Sequence, residues 1–152
     1  MIVAGASRGG EAALLIGATY PKLVGAVVGA CPNSDVVGAY PGPGAAWTLN
    51  GKPVPEGPIP IWQIIGPVFV TGGGHDAIWP SAGFVREILQ EAKAHGKTNV
   101  IGRIFRDGQH PVGFLLPYFP PVWAGGIAFS TMDESRANAR GWQATLAFLE
   151  SH

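Results

Sequence analysis

The sequence predicts an α/β fold built on a mostly parallel sheet, and three observations lead to that prediction. The apolar runs at 23–31 and 67–71 are continuous rather than alternating, as parallel strands covered on both faces require. Segments with helical periodicity lie between the strand-like runs, and this alternation is typical of a parallel α/β sheet flanked by helices. Hydrophobic residues make up 47% of the 152 residues and charged residues 13%, which indicates a globular chain.

The predicted elements follow one another as strand and helix along the chain. Pro21 ends the first helix, because the residue before a proline avoids helical backbone angles. Ser81 is the candidate N-cap of the second helix and Gly96 its candidate terminator. Strands are predicted at 1–4, 23–31, 67–71 and 99–105, and helices at 8–20, 81–95 and about 133–150.

Two of these helices carry an apolar stripe that we expect to face the core. The stripe of the second helix consists of Phe84, Val85, Ile88, Leu89 and Ala92, and that of the last helix of Ala139, Trp142, Leu146 and Leu149.

Two long proline-rich stretches separate the elements. Residues 32–66 show no sustained period, so we expect an irregular excursion with at most short helical or hairpin pieces. Loops of this length are uncommon unless they carry function, for example as a lid or a pocket wall. We expect Trp47 and Trp62 to anchor the excursion to the body of the domain. A second loop is predicted from 111 to about 129.

The pentapeptide Gly5-Ala6-Ser7-Arg8-Gly9 matches G-x-S-x-G and stands between the first strand and the first helix. This context is that of a nucleophile elbow, in which a serine occupies a tight turn from strand to helix. We expect Gly5 and Gly9 to let the neighbouring chain pass close to the strained turn. The alternative is a glycine-rich turn that contains a serine by coincidence.

A serine acts as a nucleophile when a base takes its proton and an acid orients that base. In the order serine, acid, histidine of α/β hydrolases, the candidates are Ser7, Asp76 and His110. Asp76 follows the strand at 67–71 and His110 the strand at 99–105. We therefore expect both to lie at the sheet edge that carries Ser7.

The positions of the other histidines and acidic residues can be explained without a catalytic role. His75 adjoins Asp76, and adjacent residues of a turn rarely face each other as base and orienting acid. His95 lies at a helix C-terminus, where the helix dipole favours it. The remaining candidates are terminal or loop residues that solvation explains equally well, namely His152, Asp35 and Asp107.

The composition narrows the possible partners and cofactors. The formal net charge is zero, which indicates neither nucleic acid nor an acidic membrane surface as a partner. Glycines interrupt every long apolar stretch and no basic leader precedes the first strand, so we expect no membrane span and a cytoplasmic location. The single Cys31 is expected to be a buried hydrophobe. No residue spacing predicts a metal site or a bound cofactor.

Four segments carry a more specific resemblance: GASRGGE at 5–11, AWTLNGKP at 46–53, GGGHDAIWPS at 72–81 and PYFPP at 117–121. With the closing helix, they resemble the C-terminal catalytic domain of the acyl-CoA thioester hydrolase and bile acid-CoA:amino acid N-acyltransferase family, in the α/β-hydrolase superfamily. The resemblance implies the C-terminal part of an α/β-hydrolase fold, N-terminally truncated. It also implies a serine hydrolase that cleaves acyl-CoA thioesters, because the transferase members carry cysteine at the position of the nucleophile.

The resemblance assigns a role to each site residue. Ser7 would attack the thioester carbonyl, and His110 would act as general base and then as general acid. Asp76 would orient His110, and the backbone N–H of Arg8 would be one oxyanion donor. The second donor normally comes from a loop ahead of the elbow. We therefore expect little turnover from these residues alone, because losing one donor costs about 10²- to 10³-fold in a known enzyme.

The resemblance also leads to expectations about the partners and the substrate of this chain. The family's domain has further strands and helices ahead of the elbow, so we expect a missing N-terminal segment or a homo-oligomer to complete the fold. An acyl-CoA or another small ester is the expected substrate. Two alternatives stay open: a carboxylic ester or peptide serine hydrolase of the same fold, and an inactive fragment that acts only by pairing its open sheet edge with a partner chain.

Overall fold

A computed structural model of the chain describes residues 1–110, 112–114 and 131–152, and the backbone of 123–124 and 127–128. The PYFPP segment at 117–121 and most of the predicted loop at 111–129 lie outside the described residues. In chain order, the elements are β1 (Ile2–Ala6), α1 (Arg8–Thr19), β2 (Ala26–Ala30), β3 (Asp35–Val36), β4 (Thr48–Leu49), β5 (Lys52–Pro53), β6 (Gly57–Pro58), a 3-10 helix (Ile61–Gln63), β7 (Val68–Gly73), α2 (Ser81–Ala94), β8 (Val100–Phe105), β9 (Trp123–Ala124), β10 (Ile127–Ala128) and α3 (Met132–Glu150).

Four parallel strands form the central sheet in the order β1-β2-β7-β8, which confirms the predicted fold class. Every residue of β2 and β7 is buried, as their continuous apolar sequences require. β2 begins later than predicted, because the backbone N–H groups of Leu23 and Val24 both bond to the carbonyl of Tyr20 in a turn. All four strands end at the same edge of the sheet.

Alternate residues of each strand face opposite sides of the sheet, and each side has its own core. On one side, α1, α2 and the 3-10 helix cover Val27, Val68 and Val70. On the other side, α3 packs on β7 and β8, where Phe148 stacks on Phe69 at a centroid distance of 5.3 Å. No helix among the described residues is both long enough and apolar enough to cross a bilayer.

The helix α2 has the predicted apolar face but a different start. Val85, Ile88 and Ala92 are buried, as expected from the pattern. The predicted cap is wrong: Ser81 is the first helical residue, and the N-cap position is Pro80, which makes no side-chain hydrogen bond. The Ser81 hydroxyl instead accepts a hydrogen bond from the backbone N–H of Gly73 at 3.0 Å.

The helix α3 begins with a capping box, in which Thr131 and Glu134 bond to each other's backbone N–H. Its predicted stripe is wrong, because the four residues proposed for the core are only half-buried. The buried residues are instead Glu134, Ala137, Asn138, Gly141, Thr145 and Phe148. No side chain fits at position 141 of this face, because the helix backbone at Gly141 packs directly against the backbone of Gly113.

The excursion at 32–66 contains two short antiparallel pairs, β3 with β6 and β4 with β5, and the 3-10 helix. Both tryptophans anchor it as expected. The indole N–H of Trp47 donates to the Glu11 carboxylate on α1 at 2.6 Å. Trp62 stacks on His95 at the end of α2, with ring centroids 3.9 Å apart.

We predict that Gly141→Ala destabilises the fold. In a mid-helix position, this change normally gains about 1 kcal/mol of stability. Here the added Cβ would lie 2.8 Å from Gly113 Cα, a backbone atom that cannot move aside cheaply. Overpacking costs about 1–3 kcal/mol, so we expect the free energy of unfolding, measured in urea, to fall by about 1 kcal/mol. Gln143→Ala, at an exposed position of the same helix, is the control and should change stability by less than about 0.5 kcal/mol. A Gly141→Ala variant more stable than wild type would contradict the packing described here.

Candidate active site

Ser7 occupies a strained turn between β1 and α1. Its φ of 55° and ψ of −126° fall in a region that side-chain-bearing residues rarely adopt. Backbone hydrogen bonds hold the turn: Ser7 N–H donates to Ala30 O at 2.8 Å, and Ser7 O accepts from Gly10 and Glu11. The strained conformation is therefore held by hydrogen bonds to the adjacent strand β2 and to the first turn of α1, an arrangement that a nucleophile elbow requires.

The two glycines of the elbow are not equivalent. A Cβ at Gly5 would collide with the carbonyl group of Gly9, so the close approach at this position excludes any side chain. A Cβ at Gly9 would meet no other atom within 4 Å in the described part of the chain. The steric requirement we expected thus holds for Gly5 and not for Gly9.

A buried carboxylate ties the elbow helix to the excursion. Glu11 is fully buried, and it accepts hydrogen bonds from the Arg8 guanidinium at 2.6 Å, from Trp47 Nε1 at 2.6 Å and from Val37 N at 3.3 Å. Arg8 also donates to the carbonyl oxygens of Val37 and Gly38, each at 3.0 Å. Burial raises the pKa of Glu11 above its ordinary value of 4.5, despite these hydrogen bonds and the charge of Arg8.

The side chain of Arg8 is therefore engaged in holding the excursion. Its backbone N–H is separate from that network: Arg8 is the first residue of α1, and an N–H at this position has no acceptor within its own helix. Such an N–H is available to stabilise negative charge near Ser7.

The structure brings Asp76 and His110 together. His110 Nδ1 lies 2.8 Å from Asp76 Oδ2, and the two side chains are only 8% and 1% exposed. Backbone hydrogen bonds join the loops that carry them: Gly74 N–H donates to Phe105 O at 2.8 Å, and His75 N–H to Gly108 O at 3.0 Å. The convergence expected from the ends of the two strands is thus produced by direct pairing of the loops that follow β7 and β8.

Asp76 is surrounded by hydrogen-bond donors. Its Oδ1 accepts from the backbone N–H groups of Ile78 and Trp79 at 2.9 and 3.3 Å, as in an Asx turn. Burial, the largest single influence, raises the pKa of Asp76, but hydrogen bonds from His110, Ser81 and Ile78 and the charge of His110 outweigh it. The pKa is lowered below its ordinary 3.8, so this carboxylate stays ionised near neutral pH.

A cleft of about 860 Å³ contains Ser7. Its other lining residues are Arg8, Val37, Gly38, Ala39, Tyr40, Glu56, Ala77, Ile78 and Trp79. Trp79 joins the cleft to the buried pair, because its ring contacts the edge of the His110 ring at a centroid distance of 5.4 Å. Its indole N–H donates to Cys31 O at 3.1 Å, which holds the ring in place. The described contacts include no hydrogen bond between Ser7 and His110, a contact that often tightens only when substrate is bound.

Cys31 lies beside the buried pair, a position that the sequence did not predict. It is fully buried, as expected, but its φ of 47° is unusual for a residue with a side chain. Ligand atoms of Cys31, Asp76 and His110 lie within 4.8 Å of one another, so the three could in principle hold a metal ion. Burial raises the pKa of the thiol to about 12, and the Asp76 oxygens already accept several hydrogen bonds. These two properties favour a hydrogen-bonded pair beside a neutral thiol over a metal centre.

Comparisons with known proteins show which solved structures have a similar fold. No family model and no curated protein matches the sequence. Among solved structures, the chain is similar to the α/β-hydrolase enzyme MGS-M1 from a Medee basin deep-sea metagenome library, with a TM-score of 0.61 and 17% identity over 99% of this chain and 53% of that one. It is also similar to a Klebsiella pneumoniae protein described as a dienelactone hydrolase, with a TM-score of 0.60, 19% identity and coverage of 99% and 52%. A third similar structure is the carboxylesterase Cest-2923 of Lactobacillus plantarum, with a TM-score of 0.60, 17% identity and coverage of 99% and 57%.

These similarities show that the chain has part of an α/β-hydrolase fold. The chain spans about half the length of each of these three structures. At this level of identity the similarity extends to the fold. It does not single out the acyl-CoA thioester hydrolase family that the sequence resembles.

Sequence reasoning did not find three residues that shape the site: Glu11, Trp79 and Ser81. The sequence did contain a signal for Glu11. This residue interrupts an otherwise apolar helix, and a charged group in such a position needs buried partners. The contacts of Trp79 and Ser81 depend on how the loops after β2, β7 and β8 meet. No local sequence pattern encodes the contacts among these loops.

We predict that Glu11 makes the stability of the fold fall as pH rises. A carboxyl group whose pKa is raised in the folded state keeps a proton that the unfolded chain has already released. The free energy of unfolding should therefore decrease from about pH 4.5 upward, until the pH passes the pKa of Glu11 in the folded state.

The test is urea unfolding across this pH range for wild type, Glu11→Gln and Glu150→Gln. The stability of wild type relative to Glu11→Gln should fall with rising pH, while the exposed Glu150→Gln control should follow wild type. A relative stability that stays constant or rises with pH would show that Glu11 does not hold the proton.

Proposed function

We propose that this chain carries the catalytic centre of a serine hydrolase, with Ser7 as nucleophile, His110 as base and Asp76 as the acid that orients His110. The observation that carries the proposal is the buried hydrogen bond between His110 and Asp76, located next to a cleft that contains a serine on a strained turn. Backbone strain and carboxylates with perturbed pKa values both cluster at active sites, and here they occur beside one cleft.

The proposed reaction proceeds through an acyl-enzyme. As the Ser7 hydroxyl attacks the carbonyl carbon of the substrate, its proton passes to His110. The tetrahedral intermediate places a negative charge on the carbonyl oxygen, which the backbone N–H of Arg8 stabilises. Its collapse breaks the bond to the leaving alcohol or thiol, which takes the proton from His110. Water then attacks the acyl carbon and gives its proton to His110. The bond from Ser7 Oγ to that carbon breaks, Ser7 takes the proton from His110, and the carboxylic acid is released.

The size and the lining of the cleft are consistent with a small acyl substrate. A volume of about 860 Å³ lies within the range of small-molecule sites, about 300–1,000 Å³. Its wall is largely apolar, with Val37, Tyr40, Ile78 and Trp79 facing it. We propose acyl-CoA thioesters as the substrates, on the strength of the sequence segments at 5–11, 46–53 and 72–81. Carboxylic esters are the second candidate, favoured by the similar solved structure described as a carboxylesterase.

We predict that a fluorophosphonate probe labels Ser7 covalently. The probe mimics the acyl substrate and reacts with a serine only when an adjacent base activates it. Labelling, followed by mass spectrometry of the modified peptide, should disappear in Ser7→Ala, and hydrolysis should fall by at least about 10³-fold.

Ser34→Ala is the matched control, because the Ser34 hydroxyl bonds to Glu87 at 2.6 Å, outside the cleft. This variant should label like wild type. Equal labelling of wild type and Ser7→Ala would refute the assignment of the nucleophile.

Acyl-CoA and p-nitrophenyl esters of the same acyl chain separate the two candidate substrates. We expect higher kcat/KM for the acyl-CoA. Because CoA is strongly anionic, Glu56→Gln at the cleft should raise kcat/KM for acyl-CoA by about two- to fivefold and leave that for the neutral ester unchanged. The exposed Glu150→Gln serves as the charge-matched control. Turnover of the p-nitrophenyl ester alone would decide for the carboxylesterase.

A further inference from the structure

Trp79 is half-buried and is in contact with both parts of the proposed active site. It lines the cleft that contains Ser7. Its ring also packs against the ring of His110, with centroids 5.4 Å apart and the ring planes at 81° to each other. The reaction described above uses this residue only as part of the cleft wall. Its second contact, with the base, leads to a further role.

Contacts with two other elements fix the orientation of the Trp79 ring. Its indole N–H donates to the carbonyl oxygen of Cys31, the residue that follows β2, at 3.1 Å. Phe84 on α2 packs edge to face against the same ring at a centroid distance of 5.9 Å. Edge-to-face packing is a preferred geometry of aromatic pairs, and a partly buried indole N–H needs an acceptor. The ring is therefore held in place by the protein itself, independently of a substrate.

The backbone of Trp79 takes part in orienting the acid. Its N–H donates to Asp76 Oδ1 at 3.3 Å, beside the N–H of Ile78 at 2.9 Å. The turn that orients the carboxylate thus also determines where the Trp79 side chain begins. Because Asp76 Oδ2 lies 2.8 Å from His110 Nδ1, acid and base both contact the same tryptophan, the acid through its backbone and the base through its ring.

We propose that Trp79 is a positioning residue for His110, whose imidazole its ring holds in the orientation set by the hydrogen bond to Asp76. The inference rests on the proposed function. A hydrogen bond at Nδ1 alone would leave the imidazole free to tilt about that bond, and a fixed ring beside it removes this freedom. Without the indole, a space beside the imidazole would open to the cleft, because Trp79 lines the cleft. Water in that space would weaken a hydrogen bond that is now buried.

The test measures the rate of fluorophosphonate labelling of Ser7 against probe concentration in wild type, Trp79→Ala and Trp79→Phe. The saturating rate reports on activation of the nucleophile, and the half-saturating concentration reports on binding of the probe in the cleft. In Trp79→Ala, we expect the saturating rate to fall by about 10- to 100-fold, since small misplacements of catalytic groups have effects of this size. The half-saturating concentration should change by a smaller factor. Trp79→Phe keeps an aromatic ring and should retain most of the rate.

Trp62→Ala is the matched control, because it removes another half-buried indole from a different place. Trp62 stacks on His95, the residue that follows α2, whereas the start of α2 packs against the end of β7. Loss of a packed ring lowers stability, so this variant should unfold at a lower urea concentration than wild type. It should nevertheless label at the wild-type rate, which separates local positioning from a general loss of stability.

A second readout does not depend on activity. The proton on His110 Nδ1, in its hydrogen bond to Asp76, gives a proton NMR signal far downfield, which the variant His110→Ala identifies by its disappearance. The pair is buried in wild type, so this proton should exchange slowly with water and give a sharp signal. Trp79→Ala should broaden the signal through faster exchange, whereas Trp79→Phe and Trp62→Ala should preserve it.

A wild-type labelling rate and a sharp signal in Trp79→Ala would overturn the inference. So would a loss confined to the half-saturating concentration, since Trp79 would then be a wall of the cleft only. A rate in Trp79→Phe as low as that in Trp79→Ala, or an equal loss in Trp62→Ala, would likewise contradict the role of the ring.

Should Trp79→Ala fail to unfold cooperatively, Trp79→Leu takes its place, because it keeps apolar bulk and lacks the ring. A wild-type rate and a sharp signal in Trp79→Leu would contradict the inference, and a slow rate with a broadened signal would support it. Absence of labelling in wild type is a different result: it refutes the proposed function, and with it the premise of the inference.

Discussion

The close passage of β1 beneath the first turn of α1 is the constraint on which the rest of the site depends. At Gly5 the strand approaches the carbonyl of Gly9 so closely that no side chain fits, and a single residue joins β1 to α1. Ser7 occupies that residue with a positive φ. The cost of this conformation, of order 1–3 kcal/mol, is offset by the hydrogen bonds that join Ser7 to β2 and to α1. The position of the serine is therefore determined by the sheet itself and not by a flexible loop.

Two carboxylates with buried side chains, Asp76 and Glu11, differ in the direction of their pKa shifts. Asp76 accepts hydrogen bonds from two backbone N–H groups and interacts with His110 and Ser81, and its pKa is lowered. Glu11 also accepts three hydrogen bonds, yet burial dominates and its pKa is raised. Asp76, which we propose to orient the base, receives enough donors to overcome burial, and Glu11, which anchors the excursion, does not. Burial and hydrogen bonding act in opposite directions on the pKa of a carboxyl group, and a different one of them prevails at each residue.

The parts of this site that could be predicted from the sequence are those that follow from the arrangement of parallel strands. Asp76 and His110 come directly after neighbouring strands, and such strand ends share one edge of the sheet, so their proximity needs no knowledge of the loops. Ser81 could not be predicted in the same way. A serine before an apolar helix matches the pattern of an N-cap, and only the approach of Gly73 in three dimensions shows that the hydroxyl bonds to the end of β7 instead.

The buried face of α3 and the hydrogen bonds of Glu11 likewise could not be predicted from local sequence patterns. Periodicity assigns large residues to the buried face, but a close approach of two backbones favours small ones, as at Gly141 against Gly113. The hydrogen bond between Trp47 and Glu11 joins residues that lie 36 positions apart. No local pattern contains that information, although an acid within an apolar helix indicates that some partner exists.

The proposed catalytic residues and part of the cleft wall lie in different segments of the chain, and this separation determines how substrate specificity can vary. The residues that perform the proposed chemistry lie on strand ends, whereas Val37, Tyr40 and Glu56 on the cleft wall belong to the excursion at 32–66. That wall is held to the elbow helix through side chains, chiefly Arg8 and Glu11, and not through the backbone of the turn. Because the backbone N–H of Arg8 is independent of its guanidinium, the excursion can change in sequence without disturbing the N–H that we propose as the oxyanion donor. A scaffold arranged in this way keeps its catalytic geometry while the loop above it adapts to different acyl groups and leaving groups.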